Sequence, residues 1–199
     1  RPPLLPDGYE KPDGPLVVSY GGGVNSIAML IGYQQMGVRP EAIVFSDRRG
    51  EKPKTEAYLR DVLPPWLEKV GFPELTWVSR PDFGRGETGD QSLEDECLRL
   101  GTLPSRAYGY GTCADKWKID PFKWWAQTWP GAVKAWSAGQ VVVRAVGYDA
   151  GEAHRAKLYD EKGFGKVFPL LEWEWDRERC EDECIRAGLP VPPKSACFY

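Results

Sequence analysis

The chain has 199 residues, with 26 Lys and Arg against 29 Asp and Glu and a formal net charge of −3. That length bounds one domain with a sizeable core, and the balanced charge argues against a general nucleic-acid or anionic-membrane footprint. No apolar run approaches the roughly 20 residues that span a bilayer, and no signal peptide is expected. The five cysteines therefore read as thiols, metal ligands or redox groups of a cytoplasmic protein rather than as a disulfide frame.

Residues 1–14 form an arm rich in proline and glycine ahead of a single domain over 15–199. Leu16 to Tyr20 reads as a buried strand, and Asn25 to Met36 as a helix stopped by Gly37. Ala42 to Phe45 is a second strand. Lys54 to Leu63 is a helix expected to break at Pro64 and Pro65 and to resume as far as Val70. A third strand follows at Leu75 to Val78, then helices at Gln91 to Leu100 and Pro121 to Trp129. Val141 to Val146 is a fourth strand, and Asp176 caps a last helix that runs to Ala187 and stops at Gly188. This alternation predicts an open, mostly parallel α/β sheet flanked by helices, with ligands bound beyond the carboxyl ends of the strands.

The stretch "VVSYGGGVNS" places three glycines at such a strand end. Glycine inside regular structure costs about 0.5–1 kcal/mol relative to alanine, so three in a row need a reason. One is a tight strand-to-helix turn; the other is close approach of bare N–H groups to a bound anion. The loop lacks the Lys of a Walker A motif and the G-x-G-x-x-G spacing of a dinucleotide fold.

Gly22-Gly23-Val24-Asn25-Ser26 resembles the G-G-x-D-S core of the PP-loop, the pyrophosphate-binding loop of ATP pyrophosphatases and of phosphoadenylyl-sulfate (PAPS) reductases. "FSDRRGEKPKT" is similar to that family's second-strand motif through Phe45, Asp47, Gly50, Pro53 and Thr55. "CADKWKIDP" resembles its cysteine and basic segment through Cys113, Lys116, Lys118 and Pro121. "AVGYDAGEAHRAK" resembles G-x-R-x-x-E-S-x-x-R through Gly147, Glu152 and Arg155. The likeness runs from about Leu16 to the C-terminus. Three positions depart from the pattern: Gly21 and Asn25 replace a Ser and an Asp, and Tyr148 replaces an Arg. No E-C-G-L-H tail is present, and the chain closes on "KSACFY", which looks more like the phage and DNA-sulfur-modification branch.

The resemblance implies an adenine nucleotide alpha-hydrolase-like, Rossmann-like fold that binds ATP or PAPS. Gly21, Gly22, Gly23 and Asn25, with the Ser26 hydroxyl, are expected to cradle phosphates, and Phe45 and Asp47 to flank adenosine. Ser19, Gly147, Glu152 and Lys118 are expected around the nucleotide, with Tyr20 and Tyr148 tuning the pocket. Lys116 and Arg155 are expected to neutralise shifting charge, with Cys197 as the redox nucleophile. The implied chemistry is either adenylation with pyrophosphate release or sulfonucleotide reduction, served by a sulfur donor or reductant protein. A non-catalytic nucleotide-binding subunit of a nucleic-acid modification complex is the alternative. Asn25 in place of Asp removes a negative charge, so binding without magnesium is expected; magnesium remains an expected companion of full pyrophosphatase chemistry. A valine at Gly22 is expected to fill the phosphate space and spare the fold.

Sulfur-transfer relatives suggest a 4Fe-4S cluster, for which Cys97, Cys113 and Cys197 form the candidate set; buried small hydrophobes are the other reading. Cys180 and Cys184 stand four apart on one predicted helix face. Trp117, Trp124 and Trp125 among Lys116, Lys118 and Lys123 read as a core helix with one wet edge, in preference to a base-stacking surface. His154 falls beside Arg155 on the ligand side, and "EWEWDRERCEDE" reads as a solvated helix start.

Overall fold

The computed structural model describes residues 4–84, 89–103, 114–158 and 161–194. Five strands, β1 (Leu16–Tyr20), β2 (Ala42–Asp47), β3 (Leu75–Ser79), β4 (Val142–Val146) and β5 (Phe164–Val167), form one sheet in the order β3-β2-β1-β4-β5. Every neighbouring pair is parallel, as the alternation of strands and helices predicts. The helices are α1 (Val24–Gln35), α2 (Pro53–Ala57), α3 (Leu63–Val70), α4 (Leu93–Leu100), α5 (Asp120–Thr128), α6 (Pro130–Ser137), α7 (Pro169–Glu172) and α8 (Arg177–Arg186).

The near-continuous apolar run of β1 follows from burial on both faces. Val18, Tyr20, Ile43, Phe45, Val143 and Ala145 share a core with Ile27 and Leu30 of α1, Leu63 and Leu67 of α3, and Cys180 and Cys184 of α8. On the other face Val17, Val44, Val78 and Val142 pack with Phe122 and Ala126 of α5 and Ala132 of α6. Helices thus cover both sides, and the carboxyl ends of the strands are left to build a site.

The expected break at Pro64 and Pro65 does not occur. A π-helical turn, Tyr58–Val62, joins α2 to α3, and the prolines fall in the first turn of α3. The widened turn, in which the Leu63 N–H reaches back to the Tyr58 carbonyl, carries the helix up to the two residues that have no N–H to donate. Strand β5 escapes prediction because Phe-Gly-Lys-Val is short and interrupted by glycine. A Cβ on Gly165 would lie 2.5 Å from Pro12 Cβ, so glycine is what admits the N-terminal arm. The arm also packs through Tyr9, whose ring lies 6.1 Å from Phe168 and whose hydroxyl donates to Glu172 Oε1 at 3.0 Å.

The acidic stretch before α8 is less solvated than its charge suggests. Asp176 does cap the helix, accepting from the Arg179 N–H at 2.8 Å. Trp173, however, packs edge-on to Tyr33 and lies where any Cβ on Gly32 would clash at 2.2 Å. Glu183 is buried and receives Gln35 Nε2 at 2.7 Å and Arg186 Nη1 at 2.6 Å. No helix among the described residues is long and apolar enough to cross a membrane.

Candidate functional site

Strand order reverses at β1 and β4, and their carboxyl ends bound the crevice where open α/β sheets hold ligands. Gly21 to Gly23 turn the chain there from the central strand into the 12-residue α1. Gly23 occupies the N-cap position and no side chain caps the helix, so the Val24 and Asn25 N–H groups have no intrahelical acceptor, whereas the Ser26 N–H turns back to Gly23 O at 3.1 Å. No acidic residue belongs to that first turn itself, although two carboxylates of another segment reach its second residue, Asn25. The Ser26 hydroxyl accepts the Gly21 N–H at 2.9 Å, which fixes the turn and leaves its own hydrogen to donate.

Gly22 is buried with a φ of +75°, and a Cβ there would meet Thr55 Cγ2 at 3.2 Å and Phe45 Cε2 at 3.5 Å. The expectation that a valine at Gly22 would only fill phosphate space is corrected: it would strike the core. Phe45 lies beneath the turn, 1% exposed and edge-on to Trp77, so it packs against the turn and presents no open ring face of the kind expected to flank adenosine. Gly147 follows β4, where a Cβ would sit 3.1 Å from the Asn25 carbonyl oxygen. Its role is to let the β4 end approach the start of α1. Ser19, expected near the nucleotide, instead accepts from Arg144 Nη2 at 3.1 Å, and Arg144 itself lies over the Phe122 ring on the α5 face.

Asn25 is the junction of the crevice. Its Nδ2 donates to Asp149 Oδ2 at 3.0 Å and to Glu152 Oε2 at 2.9 Å. Asp149 is buried and also caps the 3₁₀ turn Ala150–Arg155 by accepting the Gly151 N–H at 2.9 Å. Glu152 binds Arg155 through its other oxygen, and the Arg155 guanidinium lies 4.7 Å from the Tyr148 ring centroid. The charge lost at Asn25 is therefore replaced by two carboxylates from another segment. Sequence reasoning missed Asp149, although it stands within the glycine–glutamate motif. His154 is exposed on the same turn.

A cleft of about 540 Å³ opens beyond β2 and β3, lined by Asp47, Arg49, Gly50, Glu51, Glu56, Leu59, Trp77 and Glu94. It adjoins the glycine turn at Leu59, whose Cδ1 would lie 3.9 Å from a Cβ on Gly22. Burial pushes the Asp47 carboxyl above its usual range; the Arg49 N–H, donating at 2.7 Å, works the other way, and Glu51 and Glu56 push further up. Arg49 holds a left-handed φ of 53°. Of this lining, the motif reading named Asp47 as a ligand contact.

The basic segment is engaged elsewhere. Lys116 pairs with Glu96, which also accepts from the buried Trp117 indole. Burial disfavours the Glu96 carboxylate, but these two hydrogen bonds and the Lys116 charge outweigh it and hold the group below its ordinary range. Lys116 is thus a structural partner in this arrangement, not a cation presented to the crevice. The Lys118 carbonyl accepts from Ser46 Oγ at 2.8 Å, tying that segment to the β2 end. Trp117 is fully buried and Trp124 and Trp125 half-buried, the core helix with a wet edge that the sequence suggested.

Cys113 and Cys197 lie outside the described residues, and Cys97 is a half-buried thiol on α4. Among the described residues no group of three or more His, Cys, Asp and Glu is arranged to hold a metal ion. Cys180 and Cys184 share the buried face of α8, and burial pushes both thiols up to about 12, with Asp149 adding to Cys180 and Glu181 to Cys184. They are packing groups, not nucleophiles. No protein-family model matches this chain, and no curated protein matches it.

Proposed function

We propose that the chain binds an adenine nucleotide across the carboxyl edge of its sheet, in the manner of the PP-loop proteins it resembles, and acts in sulfur activation or transfer. The observation that carries this reading is the uncapped start of α1, delivered by a glycine turn to the point where strand order reverses. Backbone N–H groups at the turn and the Ser26 hydroxyl bind phosphate oxygens, and the nucleoside extends toward the cleft beside Asp47 and Trp77. A cleft of that size suits a small ligand.

Two reactions are compatible with such a pose. In adenylation a substrate oxygen attacks the α-phosphorus of ATP, the α–β bridging bond breaks, and pyrophosphate departs with the electron pair. In sulfonucleotide reduction a thiolate attacks sulfur and adenosine phosphate leaves. In both, the α1 terminus offsets charge on the departing phosphate group. Arg155 serves the same end only by exchanging Glu152 for the ligand anion, since the two are paired. Magnesium bound with the phosphates would have Asp149 and Glu152 as its nearest carboxylates once they release the Asn25 amide that they share, since it is commonly held by one or two carboxylates together with phosphates. It would supply charge compensation for the phosphates.

A non-catalytic nucleotide-binding module is the second reading, favoured by the engagement of both Lys116 and Arg155 in ion pairs. Equilibrium binding of ATP, AMP and adenosine 5′-phosphosulfate, followed by assays for pyrophosphate and sulfite release with a dithiol present, tests both. Binding with turnover supports an enzyme and binding without it supports the module. Failure of all three ligands to bind overturns the nucleotide reading.

A further inference from the structure

The lining of the cleft beyond β2 and β3 carries four carboxylates, Asp47, Glu51, Glu56 and Glu94, against one guanidinium, Arg49. Arg49 shares its charge with Asp82, 3.5 Å away at the rim. Acidic character alone would say little. Glu51 says more: its side chain is 4% exposed, its Oε1 accepts from Arg48, and its Oε2 is buried with no hydrogen-bond partner among the described residues. A buried carboxylate oxygen is an acceptor, and leaving it without a donor is unfavourable. Thr55, one helical turn before Leu59 and against the glycine turn, is likewise fully buried with its Oγ1 unpartnered among the described residues. Unused polar groups therefore flank the path from the turn into the cleft.

We propose that this cleft reads the ribose of the bound nucleotide as a free diol, with Asp47 and Glu51 as acceptors, so that the chain takes ATP or adenosine 5′-phosphosulfate and rejects nucleotides phosphorylated on the ribose, PAPS among them. The inference rests on the nucleotide reading and deepens it. Ribose hydroxyls bring two donors to a wall of acceptors. A phosphate in place of one hydroxyl brings only acceptors and about two negative charges, facing the half-buried Asp47 and the Glu51 side chain, which is 4% exposed and so little screened by solvent. Asp47 is already desolvated and feels Glu51 and Glu56, so a further anion beside it is opposed. The sulfur-bearing substrate, if one is used, carries its sulfate at the 5′ end, over the glycine turn.

AMP and adenosine 3′,5′-bisphosphate isolate the question, because they differ in the ribose phosphate alone. On the unaltered chain, AMP should bind at least about tenfold more tightly by calorimetry, the scale expected where an added phosphate meets buried acceptors. The 3′-deoxy form of AMP should also bind more weakly than AMP, since it leaves an acceptor unpaired. Asp47→Asn should narrow the gap between AMP and the bisphosphate without abolishing AMP binding. Equal or tighter binding of the bisphosphate, with AMP still bound, overturns the ribose inference and leaves the nucleotide reading standing. Failure of AMP, ATP and the bisphosphate alike overturns both.

Discussion

The glycine turn and the acidic cleft lie side by side along one sheet edge, yet they present opposite chemistry. At the turn the groups on offer are backbone N–H donors at the head of α1, with no side chain capping them. In the cleft they are side-chain acceptors, chiefly Asp47, Glu51, Glu56 and Glu94. Donors beside acceptors suit a ligand that is anionic at one end and hydroxylated at the other. The contrast also separates two ways of building a site. Backbone donors persist through most substitutions and fail when a Cβ intrudes, whereas the acceptor wall can be retuned one side chain at a time.

The sharpest break in that comparison comes from the turn. Gly22→Val forces a β-branched residue to a φ of +75° and drives a Cβ to 3.2 Å from Thr55. Left-handed backbone costs about 1–2 kcal/mol and overpacking about 1–3 kcal/mol, so a loss of roughly 2–5 kcal/mol is expected in urea unfolding. A variant as stable as the parent would show that the turn is not seated on Thr55 and Phe45. Asn25→Asp should come next. It replaces the amide between Asp149 and Glu152 with a third carboxylate at 2.9–3.0 Å from their oxygens. A like-charge contact of that kind costs about 1–4 kcal/mol, and millimolar magnesium should restore much of the lost melting temperature. Because two carboxylates already stand there in the parent, ATP binding should weaken when magnesium is removed, the reverse of what Asn25 alone suggests. An Asp variant with an unchanged melting temperature in the absence of magnesium would mean that Asn25 does not bridge the two acids.

The two regions were unequally legible in the sequence. Period and punctuation marked β1, α1, β2, β4 and the Asp176 cap, because each depends on residues within a few positions of itself. The glycine turn was legible for the same reason. The Asn25 junction was not, since Asp149 and Glu152 reach it across more than 120 residues through the parallel pairing of β1 with β4. Lys116 misled because its sequence neighbours are basic and aromatic, while its actual partner Glu96 lies 20 residues away. Glu51 carried no signal at all. Its burial is a product of the Arg48 pair and the surrounding fold, and neither is visible in a run of charged residues.

Arg155 tests whether the turn side has a side-chain component. Its pair with Glu152 is half-exposed, so Arg155→Ala should change stability by about 1 kcal/mol or less. ATP affinity should nonetheless fall by more than adenosine affinity, because the guanidinium meets the anion and not the base. Equal losses for the two ligands would make Arg155 a support for Tyr148 and the 3₁₀ turn rather than a phosphate contact.

The smallest effects separate two carboxylates by the sign of their pH dependence. Asp47, raised by burial, holds its proton in the folded chain at pH values where the unfolded chain has lost it. Its contribution to stability therefore declines as pH rises from the ordinary carboxylate range through the raised folded value, and stays unfavourable above. Asp47→Asn should make the chain slightly more stable than the parent at neutral pH, with the difference closing in acid. Glu96 runs the other way. Burial opposes its charge, but the Lys116 and Trp117 hydrogen bonds prevail, so its folded value lies below the unfolded one. That contribution is complete above the ordinary carboxylate range and is lost as pH falls through the lowered folded value. Glu96→Gln should accordingly destabilise at neutral pH and lose its effect in acid. Urea unfolding of both variants at neutral pH and again below the carboxylate range reads the two signs directly. Destabilisation by Asp47→Asn at neutral pH would mean that its carboxylate is favourably engaged without a ligand, and the acceptor wall of the cleft would then be satisfied from within the protein.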